Sequence, residues 1–438
     1  MPVHTYHVPQ ELPTVVSRRR FLGLSAAAVS APVIGYAATS RGFASGGASP
    51  SAAATPTVRF VNSTGQSDTF AYVHANMPGG GQGFLNPSTG RLDPIPNPSD
   101  TMHDLSGFIA ERRIPFGQEI PLNDHLSGGR IYFSLGESVS FFANPNAGGA
   151  AGAVVQPSAA NPDDASYNIS WDYCEFTYIP EGIWGNITCV DGVGLPIALT
   201  LTPGSAAEQH VGGIPEGGTA AMAERLKQAG GDWGKCALYD GDRLVRVSSP
   251  AKLPGLGTEV FAGHYGEYVD QVWQKYRAGG GEDLRIALGD VWPDTTVVGR
   301  TQGDKLVFEG ITDGSPNTFD KPGTGPAPAE ADIFGCDGTL HGINATQQGR
   351  IAAVLGAAFC RTTLLSNPSQ PDATSADFYT NAPVYEYARL VHEMAADGRA
   401  YAFPYDDVTP TRESDKAGAV HTGGGGDWSL TVTVKRPA

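Results

Sequence analysis

The sequence predicts a mainly β protein with a mixed α/β segment inserted between strands from its two ends. Three observations lead there. The 438 residues include 57 Gly and 33 Pro, a composition of turns and loops rather than of a helical bundle. Short alternating runs of β-branched and aromatic residues fill positions 57–203 and return after 400. Between them, over 204–399, the apolar spacing changes to that of amphipathic helices. No internal repeat is visible.

Residues 45–56 are Ser, Ala, Gly, Thr and Pro and read as a linker. Strands are expected at Val58–Asn62 and Phe70–Val73. Arg130–Ser134 and Ser138–Phe142 are expected to form a hairpin around Leu135-Gly136-Glu137. Trp171–Pro196 reads as strand, turn, strand, with Pro180-Glu181-Gly182 in the middle. Ile197–Leu201 ends this β region, which is taken as 57–203 and completed by 400–437. The inserted segment places helices at Thr219–Ala229, Tyr265–Tyr276, 346–364 and 382–396. The last of these has Asn381 as N-cap and Pro383 in its first turn. Tyr401–Val408 is read as a return to β structure, 423–426 as a mobile Gly-rich loop, and Trp428–Val434 as the final strand.

The amino end supplies an address. Ser17-Arg18-Arg19-Arg20-Phe21-Leu22 matches the twin-arginine export pattern, and a mildly apolar run rich in small residues follows to Ala38. Residues 1–44 are therefore read as a signal peptide of a bacterial, secreted protein. No stretch is long and apolar enough to span a bilayer, so no membrane association is expected after export. The net charge of −16 repels phosphate backbones and anionic lipid, which excludes nucleic acid as a partner and suits a neutral polymer. The protein is expected to act as a monomer. Five cysteines make an odd, sparse set rather than a disulfide framework. If Glu175 and Asp191 share a face, strand alternation puts Cys189 on it and Cys174 opposite, so no bridge between them is expected without a bulge.

Chemistry concentrates in the central stretch. Glu175 lies in an aromatic run, Tyr173-Cys174-Glu175-Phe176, and Asp191 lies between Val190 and Gly192. Two carboxylates beside aromatic rings are what glycoside hydrolysis requires: one protonated to assist the leaving oxygen, the other ionised as base or nucleophile. Burial among rings suits Glu175 to the acid and its longer reach to donation, leaving Asp191 as base. Asp172 and Glu181 flank the pair as substitutes for either. Tyr132, Tyr173, Trp171, Tyr178 and Trp184 could each stack on a sugar ring, with core packing the default for each and Trp184, in the turn, the foremost sugar platform. Asp406-Asp407 is read as fixing a turn. No His spacing suggests a catalytic metal, and no cofactor is expected. Gly231–Cys236 lacks the residues of a phosphate loop, and no Gly-x-Ser-x-Gly elbow occurs.

Glu175-Phe176-Thr177, followed sixteen residues after the Glu by Asp191 in Val190-Asp191-Gly192-Val193-Gly194-Leu195-Pro196, resembles glycoside hydrolase family sixty-four. These are bacterial endo-1,3-β-glucanases that release laminaripentaose. The β portion is also similar to thaumatin-like proteins. Gly129-Arg130-Ile131-Tyr132 and Tyr401-Ala402-Phe403-Pro404-Tyr405-Asp406-Asp407 extend the likeness over roughly 56–437. The resemblance implies a thaumatin-like β-barrel or sandwich domain and a mixed α/β domain that together form a wide groove. It implies an inverting mechanism with Glu175 as acid and Asp191 as base, acting on 1,3-β-glucan of the laminarin or curdlan type. It also places Thr177 and Trp184 where that family contacts the sugar chain. A non-catalytic, thaumatin-like glucan-binding protein is the alternative. Register alone leaves the stereochemistry open.

Overall fold

The computed structural model describes residues 55–146, 149, 151–410, 417–423 and 427–438. The signal peptide, most of the linker and nearly all of the 423–426 loop lie outside the described residues.

Two large sheets carry the β portion. One has five strands in the order Gln209–Val211, Ile197–Pro203, Trp428–Lys435, Thr57–Ser63, Glu119–Pro121. The other has seven: Ala419–Gly423, Gly182–Ile187, Ser170–Ile179, Leu126–Leu135, Thr69–Asn76, Gln82–Asn86, Arg91–Pro94. The final strand shows why it forms. Trp428, Leu430, Val432 and Val434 alternate inward while Ser429, Thr431, Thr433 and Lys435 turn outward. It pairs in parallel with the first strand, Phe60 opposite Val432. The first and last described strands are thus joined. The inner faces of the two sheets stack on one another, with the Phe60 and Phe133 rings 6.1 Å apart. Each sheet ends in edge strands, so of the expected barrel or sandwich the closed barrel does not form and two open, stacked sheets stand in its place.

The segment after residue 203 begins by completing the first sheet, since Gln209–Val211 pairs with Ile197–Pro203. Helices follow at Gly218–Ala229, Gly266–Lys275, Ala329–Gly335, Gln347–Cys360 and Glu386–Met394. A second five-stranded sheet is built from Leu284–Ala287, Thr296–Gln302, Lys305–Glu309, Thr318–Asp320 and Ser369–Gln370. Gln347–Cys360 is buried nearly all round, as its run of Ala, Ile, Val and Leu requires, and Thr346 caps it by accepting from the Gly349 N–H. One continuous apolar core joins the helices to the β sheets.

Several local expectations are corrected. The hairpin at 130–142 does not form, because both edges of Leu126–Leu135 are taken by Ser170–Ile179 and Thr69–Asn76. Phe142–Asn144 instead joins a small sheet with His103–Asp104 and Ala153–Val155. The helix at 382–396 starts only at Glu386 and is preceded by Tyr385; Asn381 spends its amide on the Thr362 carbonyl. Tyr401–Val408 is mostly turn, touching β structure only through a bridge from Tyr401 to Thr188. All five cysteines are unbridged and buried, with the Cys336 and Cys360 sulfurs 3.7 Å apart.

Candidate active site

The site lies on the outer face of the seven-stranded sheet. Period-two alternation along Ser170–Ile179 sends Cys174 and Phe176 to the core between the sheets and Trp171, Tyr173, Glu175 and Thr177 to the other side. Part of that outer face is roofed by the segments at 103–110, 138–144 and 153–159, which bury Tyr132, Trp171 and Tyr173 in a second apolar cluster with Phe141, Leu105 and Ile109. Glu175 stands just beyond this roof, its side chain 12% exposed.

Register fixes its neighbours. Arg130 lies opposite Glu175 on one side and Asn186 on the other. The Arg130 Nε–H donates to Glu175 Oε1 at 3.3 Å, and Asn186 also hydrogen-bonds the carboxylate. Burial pushes the Glu175 carboxyl up, and the Asp191 charge adds to this; Arg130 and Asn186 oppose it without reversing it.

Asp191 is not on the second arm of the hairpin. That arm ends at Ile187, and the Cys189 N–H turns away to donate to the Tyr401 carbonyl at 2.7 Å. Asp191 therefore sits in a loop, just before Gly192–Val193 pairs with Arg243–Ser248. Lys252 Nζ is 2.9 Å from Asp191 Oδ1, and the Tyr173 hydroxyl donates to Oδ2 at 2.8 Å. Burial would raise this carboxyl, but the Lys252 and Arg130 charges and the hydrogen bonds from Lys252 and Tyr173 outweigh it and hold Asp191 below the usual range. Arg130 ties the two halves together: its guanidinium lies 4.5 Å from the Tyr173 ring centroid while bonding Glu175.

The glycines of the Asp191 loop are dictated by close approach. A Cβ on Gly194 would lie 2.1 Å from the Trp171 carbonyl oxygen, and one on Gly192 would lie 2.6 Å from that of Val247. Asp172 completes the clamp, accepting from the N–H groups of Gly194 and Leu195 at 2.8 and 3.2 Å. Its side chain points away from Glu175, so it positions the loop rather than replacing either carboxylate. Burial lifts it to about 7 against those hydrogen bonds. Glu181 is exposed at the hairpin turn.

The remaining expected residues divide. Tyr173 is buried and holds Asp191. Tyr132 is fully buried with its hydroxyl donating to Gln156, so it cannot offer a ring face to a sugar. Thr177 is buried and its hydroxyl accepts from the Gly128 N–H at 3.2 Å. Trp184, opposite Thr177, is half-buried on the Glu175 face, with the His421 ring 5.0 Å away at 34°. Sequence reasoning gave no role to Arg130, Asn186 or Lys252. Arg130 carried a signal, its place two residues before Tyr132 on one strand face; Lys252 carried none. Among the described residues, no group of three or more His, Cys, Asp or Glu is arranged to hold a metal ion.

This arrangement separates two neighbouring carboxyl groups into one favouring the proton and one favouring the charge, which is the division of labour for acid–base hydrolysis. Comparison with known proteins agrees with that chemistry. A family model described as β-1,3-glucanase, glycoside hydrolase family 64, matches residues 54–433. Glucan endo-1,3-β-glucosidases from Arthrobacter sp. (strain YCWD3) and Cellulosimicrobium cellulans are each 30% identical over 398 residues, covering 90% of this chain and 67% of theirs. A solved laminaripentaose-producing β-1,3-glucanase, in complex with laminaritetraose, superposes with a TM-score of 0.73 at 29% identity, covering 88% of this chain and 99% of that one. A family 64 β-1,3-glucanase domain from Clostridium beijerinckii shares the fold, with a TM-score of 0.68 at 20% identity over 87% of this chain and 98% of its own. The chain belongs to the β-1,3-glucanase family of glycoside hydrolases, family 64.

Proposed function

We propose that this protein cleaves internal linkages of 1,3-β-glucan with inversion, Glu175 acting as general acid and Asp191 as general base. The observation that carries the assignment is the unlike environment of the two carboxylates: Glu175 is raised chiefly by burial, and Asp191 is held down by a lysine and a phenol. Glu175 delivers its proton to the glycosidic oxygen, and Arg130 then stabilises the carboxylate left behind. Asp191 takes a proton from the water that attacks the anomeric carbon from the opposite side. Register supports inversion. A directly opposed cross-strand pair would hold its Cβ atoms about 4.5–5.5 Å apart. Asn186, not Asp191, occupies that place, and Asp191 approaches from a separate loop. This favours the wider spacing that admits a water.

The same reading has the half-buried Trp184 ring receiving a glucose face, a thaumatin-like β part facing the α/β part across a wide groove, and short products such as laminaripentaose. It also has a monomer exported through the twin-arginine signal. Proton NMR of laminarin during early hydrolysis, with chromatography of the products, tests it. The α-anomer is expected first, with oligosaccharides of narrow size range. A β-anomer as the first product refutes inversion.

A further inference from the structure

Asp191 depends on a residue from the inserted α/β segment. Lys252 closes the short turn Pro250–Lys252, directly after the strand Arg243–Ser248. That strand pairs with the Asp191 loop, Gly192 opposite Ser248, and the Ser249 N–H donates to the Asp191 carbonyl at 3.1 Å. The turn is therefore held against the loop by main-chain bonds. Its Lys252 side chain, 7% exposed, reaches Asp191 Oδ1 at 2.9 Å. Tyr173 occupies the other carboxylate oxygen.

The charged and titratable groups facing Asp191 come from three directions. Tyr173, Tyr132, Arg130 and Glu175 lie on the seven-stranded sheet, Arg246 on the strand behind, and Lys252 on the turn. Arg130 is committed to Glu175 at 3.3 Å, and Arg246 donates to the carbonyls of Tyr167 and Ile169. Lys252 is the cation in direct contact with Asp191. A cation at that distance makes a carboxylate a weaker base but keeps it charged in acid, where the Glu175 proton is most secure. An uncharged hydrogen bond would orient Asp191 without that second effect.

We propose that Lys252 is a positioning residue for hydrolysis, fixing the Asp191 carboxylate and setting how far into acid the enzyme works. The inference rests on Asp191 being the base. Three proteins test it: Lys252→Met, Lys252→Arg and Asp191→Asn, each measured for kcat/KM on laminarin from acid to mildly alkaline pH and for thermal unfolding. Lys252→Met is expected to move the acid limb upward by about one pH unit or more, with activity lost mainly on that side. Lys252→Arg is expected to return the limb toward the parent position. A folded Lys252→Met whose acid limb stays in place overturns the proposal, whether or not activity falls uniformly. Carbon NMR titration of the Asp191 carboxyl in the unmodified protein gives an answer even if Lys252→Met does not fold. The resonance, assigned by its loss in Asp191→Asn, must titrate below the ordinary aspartate range, and titration at or above that range overturns the proposal. An active Asp191→Asn removes the base assignment itself; an inactive one with an unmoved Lys252→Met limb removes only the role of Lys252.

Discussion

Glu175→Gln isolates the proton from everything else that Glu175 does. The amide oxygen can still accept from Arg130 Nε, now 3.3 Å from Oε1, so the row Asn186–Glu175–Arg130 keeps its shape. What vanishes is the transferable proton. General acid assistance contributes about 10²- to 10⁴-fold, or about 3–5 kcal/mol of barrier. The stability effect is far smaller, because both members of the Glu175–Arg130 pair retain some solvent contact, 12% and 17% exposed. Weakening a charged hydrogen bond to a neutral one there costs about 1 kcal/mol, a few degrees at most in melting temperature. Activity and folding are therefore separable at ordinary assay temperatures. The assay compares laminarin with a laminarioligosaccharide carrying a dinitrophenolate leaving group, which departs without protonation. Glu175→Gln is expected to fall by the full factor on laminarin and much less on the activated substrate. Asp191→Asn is expected to fail on both. A folded Glu175→Gln within tenfold of the parent on laminarin, or equally impaired on both substrates, refutes Glu175 as the acid.

Tyr173→Phe removes the hydroxyl that donates to Asp191 Oδ2 at 2.8 Å; kcat/KM on laminarin should fall about tenfold, about 1.4 kcal/mol, with the acid limb moving upward. An unchanged profile would mean that Lys252 alone orients the base. Gly194→Ala puts a Cβ 2.1 Å from the Trp171 carbonyl oxygen, so the loop must move. A loss of about 1–3 kcal/mol in denaturant unfolding should accompany a larger loss of activity, and an unaltered, fully active variant would remove the close-approach account of the motif. His74 is buried against Phe84 with neither ring nitrogen bonded, and burial followed by the Arg130 charge lowers it from 6.5 to about 3. The unfolded chain therefore takes up a proton below about pH 6.5 that the folded protein refuses, and stability is lost as pH falls through that window, by about 3 kcal/mol at about pH 4. His74→Leu should flatten urea stability between neutral and acid pH; an undiminished slope would place the acid sensitivity elsewhere.

The features legible in the sequence were those set by neighbours along the chain. Tyr268, Val269, Val272 and Trp273 have helical spacing and are buried in the helix Gly266–Lys275. Strict alternation marked Trp428–Lys435 as a strand. Its parallel partner, Thr57–Ser63, is at the other end of the chain, and no local pattern encodes that pairing. Tyr132 shows the same limit from the functional side. Its aromatic strand context admits a sugar platform beside the default of core packing, and the roof formed by 103–110, 138–144 and 153–159 decides for the core. Asp406 was read as a turn former, and it does accept from the Ala402 N–H, but it is also fully buried and ion-paired to Arg361 and His392. Arg361 follows the helix Gln347–Cys360 and His392 lies in Glu386–Met394, beyond any local reading.

Glu175 and Asp191 illustrate how a pair can be singled out in a sequence while its surroundings are not legible there. Their spacing in the sequence, through the resemblance, singled out Glu175 and Asp191. Reading both on paired strands told them apart only by aromatic neighbours and side-chain length, without the partners that separate them. The difference arises because the second strand stops at Ile187. Glu175 remains in the sheet, where burial and Asp191 favour its proton against Arg130. Asp191 leaves the sheet and meets Lys252, which belongs to the inserted segment. Ending the strand early thus lets one part of the fold hold Glu175 and another hold Asp191. The pair can then be tuned in opposite directions by separate partners, while the Asp191 charge adds to what favours the proton on Glu175.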